Sequence, residues 1–122
     1  MINRPEESEL IKLADIKIDK NTPLEDRVIY MHFFLDGHDW YLSEYDPQKR
    51  VFFGYMVPKD DYRNARWDYF SIDHLDQIKS KTSSQVIRNT HWEPKPAIKI
   101  DRIRDAYNWK KEMEKAKRKM LS

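Results

Sequence analysis

The feature that most constrains this chain is an apolar run that ends directly on a turn. Val28–Leu35 reads VIYMHFFL, β-branched and aromatic on both faces, and Asp36-Gly37 follows at once. Asp-Gly is a strong short hairpin signal, because a tight hairpin turn needs positive φ and glycine accepts it without a Cβ clash. The spacing predicts a buried central strand that turns back on itself, with Asp39–Tyr45 as the returning strand. A second turn over Asp46–Lys49, with Pro47 fixing φ at its first central position, leads into a third strand over Arg50–Val57. Gly54 lies inside that strand, where a glycine marks a bulge or a close approach of another backbone. Arg66–Phe70 alternates as a fourth strand, after a polar loop over 58–65. Of the 16 aromatic residues, 13 fall between Tyr30 and Phe70, so the packing material is concentrated in this meander.

Helical signals flank the strands. Ser8 reads as the cap of a short helix over 8–14, and residues 21–26 are turn-like. Ser71 reads as the N-cap of a helix over 72–80, with Ile72, Leu75 and Ile78 on one face and Asp73 near its positive end. A short strand is expected over 85–88, and Pro94 and Pro96 are expected to stop any regular element near Trp92. From Asp101 the pattern turns helical to Leu121, with Ile103, Ala106, Tyr107, Met113, Ala116 and Met120 at steps of three and four. The expected fold is α+β: an antiparallel meander of four to five strands, one short helix and a C-terminal amphipathic helix. Charge follows the same divisions. Residues 1–26 form an acidic segment (net −3), 27–100 an aromatic-rich core (net +1) and 101–122 a basic helix (net +4), all within one domain.

An ordered set of motifs carries a family resemblance. Ile29–Phe34, Asp39–Asp46, Phe52–Tyr55, Asn64–Ser71 and Val86–Pro96 together resemble a family of small bacterial proteins of unknown function, found on phages, plasmids and conjugative elements. The resemblance spans about residues 22–104. It implies a setting, an accessory protein of a mobile element, and carries no activity. The chain departs from the family pattern at three places: Arg66-Trp67-Asp68-Tyr69 stands where the family has Glu-Trp-Gly-Tyr, His74 replaces a Glu, and Asn89 replaces an Asp. Losing the Glu at His74 also removes half of a capping box.

Chemistry is thinly signalled. The chain has no cysteine, which excludes disulfides, thiolate metal sites and Cys nucleophiles. His32, His38, Asp36 and Asp39 cluster around the first hairpin, and the hairpin brings His32 near the opposite strand. Their spacing matches no metal motif, so no metal or cofactor is expected. Glu44, Asp46, Asp60, Asp61, Asp68 and Asp73 are the candidate carboxylates for acid–base work, with His74 as a base beside Ser71. Acid–base work needs two such groups to converge with separated pKa values, which is a matter of tertiary structure, and Asp60-Asp61 falls in a polar loop. With only two glycines, no phosphate loop exists.

Two surfaces remain as binding candidates. Trp40, Tyr41, Tyr45, Trp67 and Tyr69 fall on successive strands, so alternation leaves some of them either in a core under the C-terminal helix or on an aromatic surface. Arg102, Arg104, Lys110, Lys111, Lys115, Lys117, Arg118 and Lys119 make a basic face on that helix, interrupted by Glu112 and Glu114. Near-neutral net charge, +2 overall, favours a non-catalytic module for a host or phage protein partner through the aromatic set. The alternative is DNA or RNA binding through the basic helix, the third a metal- or carboxylate-dependent enzyme. A homodimer through the C-terminal helix and small-molecule capture in an aromatic pocket are compatible with both binding readings. No apolar run reaches the roughly 20 residues of a membrane span, and the start lacks a signal-peptide pattern. The expectation is a cytoplasmic protein.

Overall fold

The computed structural model of the chain describes residues 1–79 and 84–121. It has the expected α+β architecture, with helices on both faces of a five-stranded antiparallel sheet. The strands are β1 (Val28–Ile29), β2 (Met31–Leu35), β3 (His38–Asp46), β4 (Val51–Val57), β5 (Arg66–Ser71), β6 (Ile87–Arg88) and β7 (Lys95–Pro96). The helices are α1 (Glu7–Ala14), α2 (Ile72–Gln77) and α3 (Asp101–Leu121). Spatial order in the main sheet is β5-β4-β3-β2-β6, so the first hairpins form a meander and β6 returns to flank β2.

The local signals account for most of this. Asp36 and Gly37 both take positive φ, 48° and 87°, which matches the right-handed twist of the flanking strands. Ser71 Oγ accepts the His74 backbone N–H at 2.9 Å and starts α2. Gly54 lies opposite Leu42, next to a bulge in β3 that leaves Ser43 as the extra residue. A Cβ at Gly54 would stand 2.0 Å from the Tyr41 carbonyl oxygen, so the close approach foreseen for this glycine is real. The bulge also reverses the alternation. Trp40 and Leu42 face one side, and after the extra residue Tyr45 joins them instead of pointing away.

Four expectations are corrected. The run 28–35 is not one strand: it breaks at Tyr30, with β1 pairing β7 and β2 pairing β3 and β6. Pro96 does not stop regular structure, because it pairs with Val28 in a two-residue ladder where a missing N–H costs little. Helix α1 is capped by Glu6 rather than Ser8, and Glu9 accepts the Glu6 backbone N–H at 3.2 Å. Helix α2 ends at Gln77 with Ile78 as its C-cap; the expected end at Ser80 lies outside the described residues. The loop over 58–65 is anchored at both ends, by Lys59 N–H donating to His38 Nδ1 at 3.1 Å and by a fully buried Ala65.

Each face of the sheet carries its own core. On one, Met31, Phe33, Leu35, Trp40, Leu42, Tyr45 and Phe52 pack under Leu10 of α1, Ile72 and Leu75 of α2, and Val86. On the other, Ile29, Tyr41, Tyr55 and Val57 pack under Ala65, Ala97, Ile100 and the first turns of α3, through Ile103 and Ala106. Each fully buried Leu, Ile, Val or Phe among them contributes about 1.5–3 kcal/mol. The acidic first segment, through Leu10, and the first turns of the basic last one, through Ile103 and Ala106, are therefore part of the packed body.

Candidate binding surface on the C-terminal helix

The aromatic set does not form a surface. Trp40, Tyr41 and Tyr45 are buried, at 7%, 3% and 8% exposure. The bulge at Ser43 and the docking of α3 put them in the two cores. Trp67 is half-buried and stacks on Phe53 at 5.5 Å. Only Tyr69, at 68%, is openly exposed. The aromatic protein-binding surface is thereby reduced to a single ring on the outer strand β5.

The basic set divides at Lys110. Arg102 is engaged with the body: its Nη2 donates to the carbonyls of Val57 and Pro58 at 3.5 and 3.3 Å, and its Nε lies 3.4 Å from Asp39 Oδ2. Arg104 pairs with Asp101 at 2.6 Å. Lys110 Nζ donates to the Ala65 carbonyl, and burial, with Arg66 adding to it, holds its ammonium below the ordinary lysine range. Beyond it, all eleven residues from Lys111 to Leu121 are exposed. This arm is about 16 Å long at 1.5 Å per residue. It carries Lys111, Lys115, Lys117, Arg118 and Lys119 against Glu112 and Glu114. Lys115 and Arg118 pair within the helix, with Glu112 at 3.5 Å and Glu114 at 3.8 Å. Lys111 and Lys117 have no ion pair among the described residues. Trp109, Met113, Ala116 and Met120 line one side of the arm, with Met113 and Met120 exposed at 44% and 87%.

At the root of the arm, between β5 and α3, lies a cleft of about 330 Å³ lined by Tyr55, Arg66, Trp67, Tyr107, Lys110 and Lys111. Trp67 Nε1 donates to Tyr107 Oη at 2.8 Å and ties strand to helix. Tyr55, 1% exposed, packs its ring 5.4 Å from Trp67 and 5.7 Å from Tyr107. Its hydroxyl is buried without a hydrogen-bond partner among the described residues. Burial raises the Tyr55 and Tyr107 hydroxyls above their ordinary range, so both stay protonated donors. The sequence named Trp67, Lys110 and Lys111 but did not join them to Tyr55, Arg66 and Tyr107. The available signal was Tyr107 three and four residues ahead of the two lysines, which places all three on neighbouring positions of one helix side.

Most of the other candidate groups have partners within the fold. His32 Nε2 meets Asp39 Oδ1 at 2.6 Å, and Asn89 Nδ2 meets His32 Nδ1 at 3.2 Å. Asn89 Oδ1 accepts the His91 backbone N–H, so the amide turns its donor end to the ring. Nδ1 is then the acceptor and Nε2–H the donor to Asp39. Both ring nitrogens are used, and the ring is stacked on Tyr41 at 4.7 Å. This dyad clamps β2, β3 and the segment after β6. The candidate carboxylates are likewise engaged: Glu44 with Arg27, Asp46 with the next turn, Asp61 with Asn64, and Asp73 with Arg50 and Arg4. Asp60 sits in the loop at φ 53°. His74 faces a groove beside β5 and α2, its N–H held by Ser71. Among the described residues no three His, Asp or Glu side chains converge as a metal site, and no helix is long and apolar enough to cross a membrane. Comparisons of the chain with protein-family models, with curated proteins and with solved structures find no match in any of the three.

Proposed function

We propose that the chain is a non-catalytic binding module, an accessory protein of a mobile element in a bacterial cytoplasm, whose working surface is the arm of α3 and whose partner is a nucleic acid. One observation carries this reading: the helix residues that stand clear of the body are the ones that hold its excess positive charge. Lysine and arginine on an exposed helix face phosphates at low desolvation cost and steer a polyanion toward the protein. The near-neutral total charge fits as well, because the acidic first segment is committed to the body, where Glu9 and Glu7 pair with Arg88 and Arg50. The burial of Trp40, Tyr41 and Tyr45 removes most of the surface on which a protein-partner reading through aromatics depends.

The test is a salt titration of the full chain with labelled DNA and RNA, beside a Lys111→Glu/Lys117→Glu variant. If the arm holds about four phosphates, the logarithm of affinity falls with that of salt at a slope near −3.6, roughly 10²-fold between 50 and 200 mM. The double reversal flattens the slope by about two. No binding at 50 mM salt refutes the reading.

A protein partner is the second reading, supported by the exposed Met113, Ala116 and Met120, with half-buried Trp109 at their base. It predicts an association that survives high salt and weakens on Met113→Ser, the opposite of the first reading's signature.

A further inference from the structure

The cleft at the root of α3 has properties that phosphate steering alone does not need. Its volume, about 330 Å³, lies in the range of small-ligand pockets. Its sides are the Trp67 and Tyr107 rings, already fixed to each other by a hydrogen bond. Its floor is Tyr55, whose buried hydroxyl is unpaired among the described residues. Such a group is rare and costly in a folded chain, and a ligand with a polar edge relieves it. At the rim, Arg66 is held by its Nε on Asp68 Oδ2 and its Nη1 on the Asn64 carbonyl, both at 3.0 Å. That grip fixes the guanidinium plane and leaves Nη2 without a hydrogen bond among the described residues, in a cleft that Lys110 and Lys111 also line. An inorganic anion would use only the rim; the rings and the hydroxyl below it call for a planar, polar-edged body attached to the anion.

We infer that this cleft takes one nucleotide unit: the base against Trp67 and Tyr107 with Tyr55 Oη on its polar edge, the phosphate on Arg66, Lys110 and Lys111. The inference rests on the nucleic-acid reading of α3 and deepens it, because a duplex keeps its bases paired and stacked whereas a single strand presents them freely. The module then selects single strands. A free nucleotide offers the same chemistry, and the two sources are separable by experiment. Base–aromatic stacking tolerates any sequence, so the selection is for strandedness rather than for a motif.

The experiment measures anisotropy of a labelled single strand of about 12 nucleotides and of the corresponding duplex, with adenosine monophosphate added separately and followed by tryptophan fluorescence. Wild type, Tyr55→Phe and Arg66→Gln are compared. The single strand is expected to bind about ten-fold more tightly than the duplex. Tyr55→Phe removes most of that preference, leaves duplex affinity unchanged and raises thermal stability, since the orphaned hydroxyl is gone; the stability gain shows that the variant is folded. Arg66→Gln weakens the strand and the mononucleotide alike. A strand preference without a mononucleotide response assigns the cleft to strand ends and loops, and a Tyr55-dependent mononucleotide response assigns it to free nucleotide. Equal affinity for strand and duplex, unmoved by Tyr55→Phe and with no mononucleotide response, overturns the cleft while the α3 reading stands. No binding of any of the three at low salt overturns both.

Discussion

Replacing Gly54 with alanine tests the central packing argument of the sheet. The added Cβ would lie 2.0 Å from the Tyr41 carbonyl oxygen and 3.0 Å from Leu42 Cα, both backbone atoms of β3. No side-chain rotation relieves this. The β4 backbone must retreat by about 1 Å, which strains the ladder beside the bulge at Ser43. Overpacking of this kind costs about 1–3 kcal/mol. Weakening two ladder hydrogen bonds adds about 1 kcal/mol each, and the lower chain entropy of alanine returns about 0.5–1 kcal/mol. The expected loss is about 3 kcal/mol. With an unfolding entropy near 2.1 cal/mol/K per residue, a chain of this length loses about 12 °C in Tm. Gly37→Ala is the control. Its Cβ meets only the Lys59 side chain, 2.9 Å away at Cγ, so its cost is the positive φ alone, about 1–2 kcal/mol. Thermal and urea unfolding of the two variants rank them. A Gly54→Ala drop below about 3 °C, or one smaller than that of Gly37→Ala, refutes the close-approach reasoning.

Two further predictions concern titratable groups. On β5, an edge strand of the sheet, Asp68 Oδ1 accepts the Tyr69 backbone N–H at 2.8 Å. That bond, more than the neighbouring Arg66, holds the Asp68 carboxyl below its ordinary range; it also occupies a donor that an edge would offer to another chain. Asp68→Ala is expected to self-associate in light scattering while its Tm changes by no more than about 2 °C; a variant that stays monomeric at high concentration refutes the role. Glu9 grips Arg88 with two hydrogen bonds, 3.0 and 2.6 Å, and the guanidinium holds its carboxyl below the ordinary glutamate range. A lowered folded-state value means that the contribution is complete above the unfolded-state pKa and is lost as pH falls through the folded one. Glu9→Gln should therefore flatten the acid side of the urea-midpoint profile, and an unchanged slope there would exclude this pair as a source of acid lability.

Legibility in the sequence followed the range of the interactions. Asp36-Gly37, the Ser71 cap and the strain at Gly54 were readable because each depends on residues adjacent in sequence or on one residue type. The break at Tyr30 was not, because VIYMHFFL is equally apolar before and after the point where the chain changes pairing partner. Alternation announced two aromatic faces and allowed the C-terminal helix to cover the second, but it did not decide between that cover and an open surface. The extra residue at Ser43, which sends Tyr45 into the core, has no signature in the string YLSEY. The basic residues of α3 were all visible, whereas their division was not. Arg102 is tied to the end of β4 and Lys110 to Ala65 because of where Ile103 and Ala106 seat the helix on Tyr55 and Val57, and that seat is a tertiary fact.

The division of α3 has an energetic consequence for binding. An isolated three-turn helix is marginal in water because its first turn is costly to nucleate. Here the first turns are already formed on the sheet, through Ile103, Ala106 and the Trp67–Tyr107 bond, so the arm needs only propagation. Lys115–Glu112 and Arg118–Glu114 support it by about 0.2–0.5 kcal/mol each. The arm is therefore presented as helix before any partner arrives, and its charges do not have to be ordered at the moment of contact. Glu112 and Glu114, which at first reading only dilute a basic face, also add to the helical support of that face. Removing them would raise the net charge and weaken the scaffold at once, so binding need not improve in proportion to the charge gained.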